Sequence, residues 1–416
     1  MGTFRLTKRE KSWILYDVAN SAFTMLVSTL IPIYFNALAE NAGISDINYL
    51  AYWGYAGSIA TLLTAIIGPV FGTLADRKNY KKPIFLIALI LGAISCALLG
   101  FAWSWLAFLI IFVLAKVSYS SSLVFYDAML PETTTEERMD AVSSQGYAFG
   151  YIGSCIPFIA CLVIVLFADK LGLTMTAAMT IAFLLTALWW LFLSFPLLKT
   201  YHQDKYVEAQ GNPFRQSFSR LWHTFKNMRQ EKHIFLFLLA FFFFIDGVYT
   251  IIDMAVAYGT AVGLATEGLL IALLVTQFVA FPCSILFGRL AAKYDPGLLI
   301  KVCIVAYTGI TIFAIFLAHQ WQFWVLAVCV GMFQGGIQAL SRSYFGKIIP
   351  PEKSGEYFGL FDICGKGASF MGTTLIAIVT QASGSQNTGV GALVIVFILG
   401  ILLFTRADAA CKAASH

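Results

Sequence analysis

Residues 72–82 read GTLADRKNYKK and form a short basic loop between two long apolar stretches. A weaker copy, GRLAAKYD, stands at residues 288–295 after a later apolar stretch. Three further residues recur at one constant distance along the chain. Pro131, Gly146 and Gly153 correspond in this way to Pro350, Gly365 and Gly372. These repeats predict a chain built from two copies of one structural unit.

The composition places both copies in a membrane. Of the 416 residues, 59% are hydrophobic and 12% are charged, and the mean hydropathy is +0.79, which leaves too little polar surface for a soluble domain. About 20 apolar residues span the hydrocarbon layer. The chain has twelve such stretches: 13–37, 51–74, 83–102, 105–129, 144–168, 173–197, 233–258, 267–292, 298–318, 321–344, 356–380 and 388–405. Because lipid offers no partner to an open backbone, we expect an all-α polytopic membrane protein with twelve transmembrane helices in two pseudo-symmetric six-helix halves.

The basic residues predict the orientation. Of the 27 Lys and Arg residues, Lys116 and Lys366 lie inside spans, Lys170 lies on one side of the bundle, and the other 24 lie on the opposite side. Positive residues stay in the cytoplasm, so we expect a multi-pass protein of the inner membrane with both termini cytoplasmic. The net charge of +5 is then explained by basic loop residues at the cytoplasmic membrane surface, and no nucleic-acid partner is expected.

Residues 198–232 form a linker between an N-terminal half, 1–197, and a C-terminal half, 233–416. Within the linker, apolar residues recur at helical spacing and basic residues cover the other face. The apolar residues are Phe214, Phe218, Leu221, Trp222, Phe225 and Met228. Such a helix should lie on an anionic lipid surface, and its expected role is to tether the two halves.

The loop pattern GxLaDRxxxKK after the second of twelve spans resembles the signature of the major facilitator superfamily. Three further stretches are YDVANSAF (16–23), DGVYTI (246–251) and GGIQALSRSYFGKIIPPEKSGEYFG (335–359). They are similar to the branch that contains the fungal vacuolar amino-acid effluxers and many bacterial transporters. The resemblance implies alternating access around a cavity lined by helices 1, 4, 7 and 10, and the fungal members imply amino-acid export.

Polar residues on the cavity helices, together with Gln277 on helix 8, are the substrate-binding candidates. A single polar face on a membrane helix indicates a water-filled pathway, since a polar face toward lipid would be costly. The candidates are Asn20, Thr24, Lys116, Tyr119, Tyr249, Thr250, Asp253, Gln277, Gln334 and Gln338. Lys116 could neutralise a substrate carboxylate or act as counter-ion to a carboxylate of the chain.

Asp246 is the predicted proton-coupling residue. It follows thirteen residues of which twelve are apolar, so it should lie near the middle of the membrane. An ionised carboxylate is costly there and a proton can neutralise it. The alternative is a structural Asp246 paired with a neighbouring Tyr or Lys. Asp17 is its expected partner in the first repeat, although its position nearer the cytoplasmic end also suits a gate.

The gating candidates are Gly72, Asp76, Arg77, Asp127 and Arg342. The resemblance implies that Asp76 meets the positive N-terminus of helix 11 and keeps the cytoplasmic side closed. Helix 4 lacks the family's usual arginine and offers Asp127, so Arg77 is expected to pair with Asp127. On helix 11, Asp362 and Lys366 lie one turn apart and predict an intrahelical ion pair.

The sequence contains none of the familiar nucleotide-binding or hydrolase motifs and no Cys or His cluster. We therefore expect no enzyme activity, no cofactor and no metal. The expected partners are a small-molecule substrate, protons or another coupling ion, and membrane lipid, and the chain is expected to be a monomer. Proton-coupled export of a small polar metabolite, such as an amino acid, is the favoured function. The alternatives are a flippase or exporter of an amphiphile (a lysolipid, siderophore or drug) and a membrane receptor that senses a ligand without transporting it.

Overall fold

A computed structural model describes residues 5–44, 46–208, 231–261 and 263–414, and almost all of them are helical. Eleven helical stretches are long and apolar enough to cross a membrane, and the described part of a twelfth adds the apolar stretch Met371–Ser383. The amphipathic helix predicted in the linker lies outside the described residues.

The first half contains six membrane helices. They are α1 (Lys8–Ser28, continued by Leu30–Asn41), α2 (Asp46–Ala75), α3 (Lys81–Leu98), α4 (Trp105–Ala128), α5 (Glu136–Leu166) and α6 (Met175–Thr200). The break in the first helix falls at Thr29, whose hydroxyl donates to the Met25 carbonyl at 2.6 Å. A one-turn helix, Leu130–Thr133, joins α4 to α5.

The second half repeats this arrangement. Its helices are α7 (Lys232–Ala261), α8 (Thr266–Ala291), α9 (Pro296–Ala314), α10 (Gln320–Ile348), α11 (Ser354–Ser383) and α12 (Leu393–Ala414). A short helix, Gln386–Gly391, precedes α12. The number and order of the helices are those predicted from the sequence.

Several helices extend beyond the predicted spans. α5 begins at Glu136 rather than at 144, α10 ends at Ile348 rather than at 344, and α12 continues to Ala414 rather than to 405. A hydropathy window detects only the apolar part of a helix. The extensions carry charged residues, among them Asp140 and Lys347, which pair with each other at 2.6 Å.

Both termini lie at the same end of the bundle, which we call the terminal face. Near this face Arg9 at the start of α1 pairs with Asp204 just after α6, and Cys411 near the end of α12 lies against the His233 carbonyl at the start of α7. The halves meet where α2 crosses α11 and where α5 packs on α8 and α10. Glycines permit the first crossing, since a Cβ atom added at Gly359 would lie 2.7 Å from Pro69 Cα.

Exposure changes along α1 and α7 with distance from the terminal face. On α1, Asp17 and Asn20 are buried, whereas Thr24, two turns further along, is exposed. On α7, Asp246 is buried and Asp253 is exposed. The polar faces predicted on these helices are therefore buried nearer the terminal face and exposed further from it.

Candidate functional site

The gate is centred on Arg342 of α10, whose side chain is 3% exposed. Its guanidinium reaches two carboxylates of the other half, Asp17 Oδ2 on α1 and Asp127 Oδ1 on α4, each at 3.1 Å. Its Nε also donates to Ser143 Oγ on α5 at 3.0 Å. One side chain of the second half thus holds three helices of the first half, a task for which the five donors of arginine are well suited.

Aromatic rings enclose this guanidinium. Arg342 Cζ lies 4.6 Å from the Trp13 ring centroid and 4.2 Å from that of Tyr147. Cation–π contacts of this kind strengthen when water is excluded. Burying the guanidinium removes it from water, and the two carboxylates offset only part of that cost. The rings supply further stabilisation of the buried charge.

The contacts of Arg342 correct one predicted ion pair and give the partner of a second predicted residue. Asp127 accepts its hydrogen bond from Arg342 and not from Arg77, whose guanidinium lies 5.7 Å from the Tyr80 ring centroid. Asp17 lies in the gate, in contact with Arg342. Sequence reasoning left Asp17 between a binding role and a gating role because depth along a helix does not reveal the partner across the interface.

A second inter-half contact lies at the end of α2. The two carboxylate oxygens of Asp76 accept hydrogen bonds from the backbone N–H groups of Gly355 at 2.7 Å and Glu356 at 2.9 Å. Both N–H groups belong to the first turn of α11, which has no acceptor for them within the helix. The helix dipole also favours an anion at this end. The contact predicted for Asp76 is present. We call it the latch.

Gly72 makes the latch possible. One turn before Asp76, an added Cβ would lie 2.8 Å from the Gly355 carbonyl carbon and closer still to its oxygen. Only a residue without a side chain lets the two backbones approach in this way. The conformational role predicted for Gly72 therefore has a steric basis at the α2–α11 crossing.

Beside the latch lies a buried ion pair that sequence reasoning missed. Lys81 Nζ pairs with Glu132 at 2.6 Å, lies 3.8 Å from Asp76, and donates to Ser354 Oγ of the other half at 2.8 Å. The side chains of Lys81 and Glu132 are both fully buried. In the sequence both residues stand in charged loops, where a solvated side chain is the ordinary expectation.

Asp246 lies in the interior of the second half. It is 0% exposed, and its Oδ1 accepts a hydrogen bond from the Gly372 N–H of α11 at 2.8 Å. Thr250, one turn later on α7, is also fully buried beside Gly372. A Cβ atom added at Gly372 would lie 2.9 Å from both carboxylate oxygens, so glycine is needed for this contact.

Among the described residues, Asp17 pairs with Arg342, and Asp246 accepts a hydrogen bond from the Gly372 N–H. The Lys116 ammonium lies 5.9 Å from the Phe112 ring centroid on the same helix. The predicted role of Lys116, as counter-ion to these carboxylates or to a substrate carboxylate, stays a prediction. The predicted pair of Asp362 and Lys366 stays a prediction, because the Lys366 side chain is outside the described part of the chain.

Seven of the ten substrate-binding candidates fall into two groups. In the first group, the hydroxyls of Thr24 and Tyr119 in the first half are hydrogen-bonded at 2.6 Å, and half-buried Tyr249 lies on α7 of the second half. Of the glutamines, Gln338 accepts from the Tyr151 hydroxyl at 2.7 Å across the interface. Gln338 lies one turn before Arg342 on α10, at the interface between the halves.

The second group lies within the second half. Gln277, Gln334 and Thr250 line a cavity of about 100 Å³ between α7, α8 and α10. Most of its other lining side chains are aliphatic or aromatic. Their polar side chains predict binding groups, but a sequence does not reveal that they border an apolar space.

The chain matches the family described as vacuole effluxer Atg22 like over residues 7–138 and 132–414. It is 42% identical to the uncharacterised MFS-type transporter YxiO of Bacillus subtilis, over 96% of this chain and 94% of that protein. It is 22% identical to autophagy-related protein 22 of Kluyveromyces lactis, over 96% of this chain and 93% of that protein.

Two solved structures share the fold. The human organic anion transporter MFSD10 has a TM-score of 0.74 and 14% identity over 95% of this chain and 99% of its own. The Escherichia coli fucose:proton symporter FucP has a TM-score of 0.69 and 15% identity over 96% of this chain and 97% of its own. YxiO and these structural neighbours are transporters and not enzymes. The chain therefore belongs to the vacuole effluxer Atg22-like family, and it is a transporter with the major facilitator fold.

Proposed function

We propose that this transporter works by alternating access and couples the export of a small polar metabolite, such as an amino acid, to protons. The observation that carries the proposal is Asp246, a carboxylate that is fully buried and receives one backbone hydrogen bond. Its described contacts include no cation. An ionised carboxylate in such a place is costly, so Asp246 is expected to carry a proton in this conformation.

The gate supplies the second requirement of alternating access. Arg342, the latch and the Lys81–Ser354 hydrogen bond join the halves at the terminal face. Since most basic residues border this face, we assign it to the cytoplasm and the protein to the inner membrane. The conformation described is then closed to the cytoplasm and open to the outside.

In this scheme the proton on Asp246 is taken up from the outside and released when the gate opens inward. Opening separates α2 from α11 and removes Arg342 from Asp17 and Asp127. A substrate can then enter from the cytoplasm. Asp246 touches α11 at Gly372, and α11 also carries the latch at Gly355, so one helix connects the proton site to the gate.

The test uses proteoliposomes that contain the pH-sensitive dye pyranine. The twenty amino acids are added singly, and an amino-acid-dependent proton flux is expected for at least one. Asp246→Asn imitates the protonated form, so it should abolish this flux while exchange of labelled for unlabelled amino acid continues. Asp169→Asn, which removes an exposed carboxylate after α5, is the matched control.

A proton flux in Asp246→Asn equal to that of the wild type would show that protons are carried elsewhere. A wild-type protein that gives no flux with any amino acid would overturn the substrate assignment. In that case export of an amphiphile becomes the second candidate, because the cavity in the second half has a largely apolar lining; at about 100 Å³ it would take one apolar group of such a molecule. Movement of a fluorescent lysolipid between leaflets would then be the assay.

A further inference from the structure

We propose that residues 201–207, the start of the linker, are a positioning part of the gate. We call this segment the strap. The proposal rests on the alternating access proposed above and adds to it that the linker controls the latch. Each residue of the first half that forms the latch or the adjoining ion pair is held by the strap.

The strap fixes the end of α2 and the start of α3. Val207 N–H donates to the Asp76 carbonyl at 2.8 Å. The Gln203 side chain donates to the Ala75 carbonyl at 3.0 Å and accepts from the Lys81 N–H at 3.3 Å. The two carbonyls lie at and just after the end of α2, and the N–H lies at the start of α3. Backbone groups at helix ends have no partner within their own helix. The strap therefore sets the positions from which Asp76 and Lys81 reach the other half.

Glu132 connects the strap to the ion pair. Its Oε1 holds Lys81 at 2.6 Å and accepts from the Tyr201 hydroxyl at 3.2 Å. Its Oε2 accepts the backbone N–H groups of Asp204 at 2.9 Å and Lys205 at 3.3 Å. One buried carboxylate thus binds both the strap and the lysine that donates to Ser354 of the second half. Movement of the strap would take both described partners from Oε2 of this buried carboxylate, which is costly.

The other described end of the linker is tied to the opposite side of the latch. Glu231, directly before α7, accepts a hydrogen bond from the Tyr357 hydroxyl of α11. Tyr357 follows the two residues whose N–H groups bind Asp76. The linker is therefore anchored on α2 and on α11, the two helices that separate when the gate opens. A displacement of the linker would be transmitted to both sides of the latch.

The competing view is that the strap only covers the first half and adds stability. The two views differ in one measurable quantity, the ratio of the closed to the open gate. Spin labels at Glu137 on α5 and Glu352 before α11, both exposed, report this ratio as a distance distribution by pulsed electron resonance. The background protein has its eight cysteines replaced. The measurement needs no substrate and no gradient.

Gln203→Met keeps the side-chain length and removes both hydrogen bonds. We expect it to lower the closed-to-open ratio by up to about tenfold, because the ends of α2 and α3, from which Asp76 and Lys81 reach the second half, lose two neutral hydrogen bonds that set their positions. The matched control is Gln322→Met, which removes hydrogen bonds to backbone groups at the start of α10, the end of that helix that lies away from the latch. Val207→Pro removes the N–H that bonds to Asp76 and should act in the same direction as Gln203→Met.

The control Gly72→Ala separates failure of this proposal from failure of alternating access. If Gly72→Ala shifts the distances but Gln203→Met and Val207→Pro lower only the melting temperature, the strap is a stabilising cover and the proposal is wrong. If none of the three shifts the distances, the gate does not move as proposed, and both proposals fall. A Gln322→Met shift equal to that of Gln203→Met would also contradict a specific role for the strap.

Discussion

Replacing Gly72 by alanine should prevent the gate from closing. The added methyl group would lie 2.8 Å from the Gly355 carbonyl carbon, whereas ordinary contacts of a Cβ atom begin near 3.4 Å. The atoms that the methyl group would meet are backbone atoms of α11, so no side-chain rotation can relieve the clash. α2 and α11 must therefore move apart by roughly half an ångström or more at this point.

The separation breaks the latch, which lies one turn away. Hydrogen bonds of 2.7 and 2.9 Å would lengthen beyond the usual range. Each hydrogen bond to a charged group contributes about 1.5–3 kcal/mol, so the closed gate loses about 3–6 kcal/mol. A loss of 3 kcal/mol alone lowers the closed-to-open ratio by a factor of about 100.

Distances between labels at Glu137 and Glu352 measure this ratio, and Gly57→Ala is the control. Gly57 lies on the same helix, and an added Cβ there meets nothing within 4 Å. Both substitutions raise helix propensity by about 1 kcal/mol, so this gain cancels in the comparison. Distances in Gly72→Ala that equal those in Gly57→Ala would refute the steric argument and the role of the latch.

Three further predictions concern other parts of the molecule. With both termini in the cytoplasm, a membrane-impermeant maleimide should label a cysteine at Asn41 and spare one at Lys205 in intact cells, and the reverse pattern would overturn the orientation. Arg342→Lys keeps the charge but cannot bind two carboxylates and a serine together, so the closed-gate population in the spin-label assay should fall about tenfold or more. Gly372→Ala should lower the melting temperature by several degrees and impair proton coupling, because the methyl group meets the buried carboxylate of α7, whereas Gly309→Ala, with nothing within 4 Å, should do neither.

The sequence by itself determined the membrane fold of this protein. Twelve apolar stretches allow only helices in lipid, and the repeated loop at 72–82 and 288–295 indicates two equivalent halves. The sequence also placed Asp246 in the membrane interior, because a residue that follows a long apolar run lies deep in its span. These conclusions depend on composition and on distance along the chain, which a sequence records directly.

The pairing of charges was decided only by the tertiary structure. Asp17, Asp127 and Arg342 lie on three helices from two halves, and their meeting depends on how those helices cross. For the same reason the predicted pairing of Asp127 with Arg77 is wrong, and nothing in the sequence singled out Lys81 and Glu132, which stand in charged loops. Burial turned those loop charges into a fixed ion pair beside the latch. Electrostatic partners depend on separations of a few ångströms in three dimensions, and those separations exist only once the halves have packed together.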